Sequence, residues 1–167
     1  LTSIHGFVQM MPGRKDDEAF IEKTAGILDR ECSRLNSLLE NLLSFAQPQV
    51  GHRSSQNLRD MIEDLQVLLN KQLENENIQL ETKVPESLQV YGDPSKLKQV
   101  LMNLMLNAVD AMDQGGRLKI QAESGGDGYR YITVTDDGVG MKPGEQDRVF
   151  NPFFTTRTTG TGLGLAI

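Results

Sequence analysis

The sequence predicts an α+β protein in two dissimilar parts, on three observations. Apolar residues recur at helical spacing over residues 1–11 and then form a heptad seam from Ile21 to Ala46. Beyond a break at residues 47–52 the pattern changes to helical faces interleaved with alternating strands. Glycine is unevenly spread, with 11 of the 16 glycines from Gly115 onward, which concentrates backbone freedom in the last third and marks it as the place where a ligand is held.

Composition narrows the classes. The chain has 167 residues, enough for one full domain or a small one plus an appendage. With 23 Asp and Glu against 17 Lys and Arg, its net charge is −6, and 38% of residues are hydrophobic, a globular composition. No apolar run exceeds three residues, so no segment is expected to span a membrane. A single cysteine, Cys32, allows no internal disulfide and no cysteine-built metal site. The acidic balance, without a Lys/Arg cluster, argues against nucleic acid as a partner. The chain opens on Leu1 in mid-pattern and reads as a piece of a longer protein.

Leu1, Ile4, Val8 and Met11 lie at helical spacing until Pro12-Gly13 interrupts them. The seam that follows, Ile21, Ala25, Leu28, Cys32, Leu35, Leu39, Leu42 and Ala46, has alternating gaps of 4 and 3. A helix of that length is about 40 Å long and too narrow to fold alone. The first helix supplies one partner. A second copy of the chain would complete a dimeric four-helix bundle, and an intramolecular hairpin lying on the rest of the protein is the alternative. Gln47 to His52 reads as a linker.

A short extended stretch near Arg53–Gln56 precedes a helix from about Asn57 to Glu74, with Leu58, Met61, Ile62, Leu65, Leu68, Leu69 and Leu73 on one side. Ile78, Leu80, Thr82 and Val84 alternate as in a half-buried strand, and Leu88–Tyr91 gives a brief second one. Asp93-Pro94 starts a helix: the carboxylate accepts from free N–H groups and proline fits the first turn. That helix runs to about Met112 and stops at Gln114-Gly115-Gly116. Strands at Arg117–Glu123 and Tyr129–Thr135 are joined by Gly125-Gly126-Asp127-Gly128, a hairpin signal.

Four features could carry chemistry. Asn103, Asn107 and Asp110 share one stripe of the helix after Asp93, a stripe that also carries Lys96, Gln99 and Gln114 and so equally fits a wet helix face. Asp136-Asp137-Gly138-Val139-Gly140 follows a strand directly. A carboxylate there can accept from a ligand amine while glycines let the backbone approach, though ordinary turns use the same residues. Phe150-Asn151-Pro152-Phe153-Phe154-Thr155-Thr156-Arg157 suits a loop with an apolar anchor and a polar tip, and packing alone would account for its Phe residues. Gly160-Thr161-Gly162-Leu163-Gly164-Leu165-Ala166-Ile167 offers N–H donors at what reads as a helix start, an arrangement suited to phosphates. It has neither the lysine of a Walker A loop nor the preceding strand of a dinucleotide fingerprint.

In this order the four resemble the N, G1, F and G2 boxes of histidine kinase catalytic domains, within the GHKL superfamily that includes gyrase, chaperone and mismatch-repair ATPases. Residues 1–11 resemble the stretch just after the phosphoacceptor motif of the family's dimerisation hairpin, and the heptad helix resembles that hairpin's second helix. The segment ending Phe45-Ala46-Gln47-Pro48-Gln49 resembles sporulation-type phosphorelay kinases. The resemblance implies a partial dimerisation hairpin over residues 1–47, a linker at 48–52, and a C-terminally incomplete ATP-binding domain over 53–167. The domain would be a Bergerat-type α/β sandwich, with a mixed sheet on one side and helices on the other.

It also implies roles. Asp136 would accept from the adenine amino group, with Gly138 and Gly140 admitting the base. Asn107 would offer its carbonyl oxygen to Mg²⁺, a hard cation that keeps several waters. Gly160, Gly162 and Gly164 would wrap the phosphates, and Arg157 is a candidate for the γ-phosphate. Asp110, Thr156, Thr161 and Leu163 complete the implied ATP site. Asn103 is the candidate catalytic position: ATPases of the superfamily place Glu there to activate water, and Asn cannot act as a general base. A site without a water base holds ATP until another nucleophile arrives, which favours a kinase.

The implied activity is transfer of the ATP γ-phosphate to a histidine and then to a response-regulator aspartate. The implied partners are a second copy, through the hairpin, and a receiver domain, in a cytoplasmic setting. His5 and His52 lack the family's acceptor motif, so the acceptor is expected upstream of Leu1 and the chain is not expected to phosphorylate itself. With the family's following helix and strands beyond Ile167, nucleotide binding is expected to be weak. The alternatives are a GHKL ATPase that hydrolyses ATP and a non-catalytic dimeric adaptor.

Overall fold

The computed structural model describes residues 6, 9, 11–14, 17, 19–29, 32, 52–126, 128–156 and 160–166. The chain divides into two compact units, Leu1–Pro48 and Gln49–Ile167. In the first, the Pro12-Gly13 break forms a 3-10 turn, Met11–Arg14. Residues 19–29 are helical. Asp17 starts that helix by accepting from the Phe20 N–H at 3.0 Å, and its own carbonyl accepts from Ile21. Along the expected seam Ile21 and Leu28 are half-buried, whereas Ala25 is exposed and Thr24 is buried in its place. Spacings of three and four both return to the same helical face, so 21, 24 and 28 form a stripe as readily as 21, 25 and 28. The seam from Leu35 to Ala46, and the first-helix positions Leu1, Ile4 and Val8, lie outside the described residues.

The second unit runs β1 (Ser54–Asn57), α1 (Leu58–Asn75), β2 (Ile78–Lys83), β3 (Gln89–Gly92), α2 (Pro94–Asp110), β4 (Gly116–Ser124) and β5 (Arg130–Asp136). Both helices start on side-chain caps. Asn57 accepts from the Arg59 and Asp60 N–H groups, and Asp93 accepts from those of Ser95 and Lys96. The three-stranded sheet has order β2-β4-β5, parallel between β2 and β4 and antiparallel between β4 and β5, and is therefore mixed. A parallel pair needs a crossover. The chain between β2 and β4, which contains β3 and α2, supplies it, and β3 pairs with β1 in a separate two-stranded ladder.

One face of the sheet is covered. Leu118, Ile120 and Ala122 of β4 join one core with Leu58, Met61, Ile62, Leu65, Leu69 and Leu73 of α1 and Leu101, Met105, Ala108 and Val109 of α2. Leu68, expected on the buried side, is 70% exposed. It stands about 100° round the helix from Leu69, outside the buried face that Leu58, Met61, Ile62, Leu65, Leu69 and Leu73 form. This is the expected α+β sandwich, with helices on one face of a mixed sheet.

Candidate functional site

The site is organised by one stripe of α2. Asn103, Asn107 and Ala111 follow each other at intervals of four, so they stand one above another along about 12 Å of helix. Each end of the stripe holds a loop. At the upper end the Asn103 Nδ2 donates to the Gly164 carbonyl at 2.7 Å. At the lower end the Val139 N–H donates to the Ala111 carbonyl at 3.1 Å. Asn107 lies midway, half-buried, facing the strip of surface between the two loops.

The lower loop is built by Asp136, the last residue of β5. Its Oδ1 accepts from the Gly138 N–H at 3.0 Å, folding the chain back in an Asx turn. Gly138 is required there by close approach: a Cβ would lie 2.6 Å from the Ala111 carbonyl oxygen and 2.7 Å from the Ala111 Cβ. Asp136 is exposed, as is Gly140.

The upper loop is held at three points. Leu163 is buried, at 3% exposure, and anchors the loop in the interior. The Thr161 hydroxyl accepts from the Leu163 N–H at 3.3 Å. The Phe153 N–H donates to the Gly162 carbonyl at 2.8 Å. At Gly162 φ is +65°, and a Cβ would fall 2.4 Å from the Phe153 carbonyl carbon, so no other residue fits without moving the chain. After Leu163 the described chain makes one turn, closed by the Ala166 N–H on the Leu163 carbonyl.

The structure thus brings Asn103 together with Gly164, and Asp136 and Gly138 with the end of the Asn-bearing helix, with Asn107 between them. Gly160, Thr161, Gly162 and Leu163 form the upper loop. Asp110 is exposed on the last turn of α2, and Thr156 is exposed beyond Phe154. Arg157 lies outside the described residues. Sequence reasoning missed Ala111 and read Phe153 only as an apolar part of the Phe150 to Arg157 loop, because both act through backbone groups that any residue carries. Nor does the sequence show that the Arg148 guanidinium lies over the Phe154 ring, at 4.4 Å.

No group of three or more His, Cys, Asp or Glu side chains that could hold a metal ion occurs among the described residues. The described residues thus show no caged all-protein metal centre. A half-buried amide oxygen donor on Asn107, beside a loop suited to phosphates, instead fits Mg²⁺, which takes few protein ligands and completes its shell with phosphate oxygens and water.

This arrangement of an asparagine-bearing helix, an Asp-Gly turn and a glycine loop around a mixed sheet defines the GHKL class of nucleotide-binding domains. Residues 92–167 match the family described as histidine kinase-, DNA gyrase B-, and HSP90-like ATPase. The chain carries a domain of this family, and its relatives are sensor histidine kinases. It is 34% identical over its whole length to the sensor histidine kinase ZraS of Salmonella typhimurium and 28% identical to sporulation kinase E of Bacillus subtilis. It spans 36% of the first and 22% of the second. Among solved structures, the catalytic domain of histidine kinase ThkA is 33% identical, over 69% of this chain and 76% of that one, with a TM-score of 0.61. ThkA solved in complex with the response regulator TrrA aligns with 92% of this chain and 46% of that one, at 30% identity and a TM-score of 0.77.

Proposed function

We propose that this chain is the core of a two-component sensor kinase. It binds Mg-ATP along the α2 stripe and donates the γ-phosphate to a histidine outside residues 1–167, from which an aspartate of a response regulator takes it. The observation that carries the reading is the pair of ties on α2. Asn103 to Gly164 and Ala111 to Val139 hold a phosphate-type loop and a purine-type turn at opposite ends of one helix face, with Asn107 between them.

The chemistry follows from that layout. The Asp136 carboxylate offers an acceptor for a purine amino group, and Gly138 lets the ring approach the chain. Backbone N–H groups of Gly160, Thr161, Gly162 and Gly164 would face the phosphates, where oriented donors stabilise charge without reorganising. Mg²⁺, held through Asn107, would neutralise part of the triphosphate charge, which a chain of net charge −6 cannot do alone. Asn103 contributes no base, so water is not primed and the phosphoryl group waits for an oriented acceptor.

The domain plan follows the same reading: residues 1–47 as part of a dimerisation hairpin that pairs with a second copy, 48–52 as linker, and 53–167 as the ATP-binding domain. The relative solved with a response regulator supports a receiver domain as the partner. No helix among the described residues is long and apolar enough to cross a membrane, and we place this core in the cytoplasm. Titration with ATP, with and without Mg²⁺, tests the proposal. Weak, Mg²⁺-dependent binding with little phosphate release supports it. Mg²⁺-independent or absent binding overturns it, and rapid hydrolysis would make the chain an ATPase instead.

A further inference from the structure

The segment between the two glycine-bearing loops folds back on itself twice. The Asn151 N–H donates to the Arg148 carbonyl at 2.9 Å and the Phe154 N–H to the Asn151 carbonyl at 3.1 Å. The second bond closes a β-turn over Asn151, Pro152, Phe153 and Phe154. Proline stands at its second position, and at its third Phe153 has φ of +66°. That is the pattern of a type II turn, whose third position calls for Gly or Asn. Among the described residues the other non-glycine with positive φ is Asn77, a residue type that tolerates it.

Packing does not account for a phenylalanine there, because Phe153 is 68% exposed. A bulky residue in the left-handed region is strained and persists only where its neighbours hold it. The neighbour here is the upper loop. The Phe153 N–H donates to the Gly162 carbonyl at 2.8 Å, and a Cβ on Gly162 would fall 2.7 Å from the Phe153 Cα. A planar trans peptide sends its C=O and N–H to opposite sides, so this bond fixes the plane between Gly162 and Leu163. On the far side of that plane the Leu163 N–H is taken by the Thr161 hydroxyl. Two residues on, Asn103 holds the Gly164 carbonyl. Alternate carbonyls of the loop are thus fastened from outside, one by the Asn103 side chain and one by a strained backbone.

We infer that Phe153 is a positioning residue of the phosphate-type loop and limits how long nucleotide phosphates stay bound. Its N–H sets the Gly162–Leu163 peptide plane, and the strain of a bulky residue at a glycine position keeps that hold weak. The inference rests on the proposed nucleotide binding and assigns a residue to the control of release. When Phe153 leaves the left-handed region its strain is relieved and its N–H turns from Gly162. The peptide plane is then free to rotate, and the loop no longer keeps one set of N–H directions. Glycine at position 153 would make the same hydrogen bond without the strain, so the loop would let go more slowly.

The test measures release rates of ATP and ADP, both with Mg²⁺, and the affinity for adenosine. It uses the full chain, unaltered and as Phe153→Gly, Phe153→Asn, Phe153→Ala and Phe153→Leu. Phe153→Gly is expected to slow release of ATP and ADP about fivefold, the scale of relieving one left-handed side chain. Adenosine has no phosphate for the loop, and its affinity should not change. Phe153→Asn should fall between, because Asn tolerates the left-handed region better than Phe. Phe153→Ala and Phe153→Leu should release nucleotide as the unaltered chain does, since both keep the backbone strain. If Phe153→Gly and Phe153→Ala behaved alike, the ring and not the backbone would matter, and the inference would be overturned. A change shared with adenosine, which marks a general support of the fold, would overturn it too, as would faster release from Phe153→Gly. If the unaltered chain binds neither ATP nor ADP, the proposed function fails and this inference with it. Normal binding with no effect of Phe153→Gly overturns this inference alone.

Discussion

The side-chain amide of Asn103 donates to the carbonyl of Gly164 at 2.7 Å across 61 residues of sequence. This bond is open to an amide and closed to a carboxylate, because an ionised Asp or Glu has no proton to give and would face the carbonyl oxygen with like charge. The position therefore does two things at once. It ties the upper loop to the helix that carries Asn107 and, under the proposed function, would leave water without a base.

Asn103→Glu separates those roles. The new carboxylate can accept a proton from water, so phosphate release per bound ATP should rise. Loss of the donor should weaken ATP binding several-fold, by the roughly 1 kcal/mol that a typical hydrogen bond contributes. Phosphate release measured at saturating and at limiting ATP distinguishes the two. No rise at saturation would mean that Asn103 does not occupy the water-priming position.

Asn107→Ala should remove the Mg²⁺-dependent part of ATP affinity and leave the fold intact, since the side chain is half-buried on a helix surface outside the apolar core, with a stability loss of no more than the roughly 1 kcal/mol of a typical hydrogen bond. Calorimetric titration with and without Mg²⁺ checks this. A variant whose affinity still responds to Mg²⁺ as the original does would displace Asn107 from that role.

Much of this fold was legible because local rules agreed with tertiary ones. Asp93-Pro94 begins α2 where capping chemistry puts it, and the period-2 runs became β2, β4 and β5. Leu68 failed because a helical wheel places it beside the buried row while only contact with the sheet decides how wide that row is. Within the site, Asn103, Asn107, Asp136 and the glycines were readable as side-chain chemistry or as the lack of a side chain. Their partners were not. Ala111 and Phe153 act through backbone groups, and the stacking of Arg148 on Phe154 depends on two successive turns whose geometry no residue type advertises.

Glu81 on the outer sheet face accepts from Lys83 at 2.9 Å, and that hydrogen bond and charge hold its carboxyl below the ordinary 4.5. A folded value below the unfolded one makes the contribution complete above the unfolded value and lost as the pH falls through the folded one. The pair is solvent-exposed, so the effect is small. Denaturant midpoints of the chain and of Glu81→Gln should differ slightly near neutral pH and converge in acid below 4.5. A gap that widens on acidification would contradict the pairing.

Gly138 and Gly140 resist substitution for different reasons, and Ala at each gives different results. A Cβ on Gly138 meets the Ala111 carbonyl oxygen at 2.6 Å and the Asp136 Oδ1 at 2.8 Å, so the turn must move off the end of α2. Gly138→Ala should cost about 1–3 kcal/mol, the usual penalty for forcing atoms into occupied space, and should weaken every adenine nucleotide equally, because the purine end is displaced. At Gly140 there is open space within 4 Å, and the constraint is φ of +66°. Gly140→Ala should cost about 1–2 kcal/mol from left-handed backbone alone, with a smaller loss of affinity. Thermal midpoints and titrations with ATP, ADP and AMP measure both. If Gly140→Ala proved the more damaging in binding, the base would lie against Gly140 and not against the turn that Gly138 fastens to Ala111.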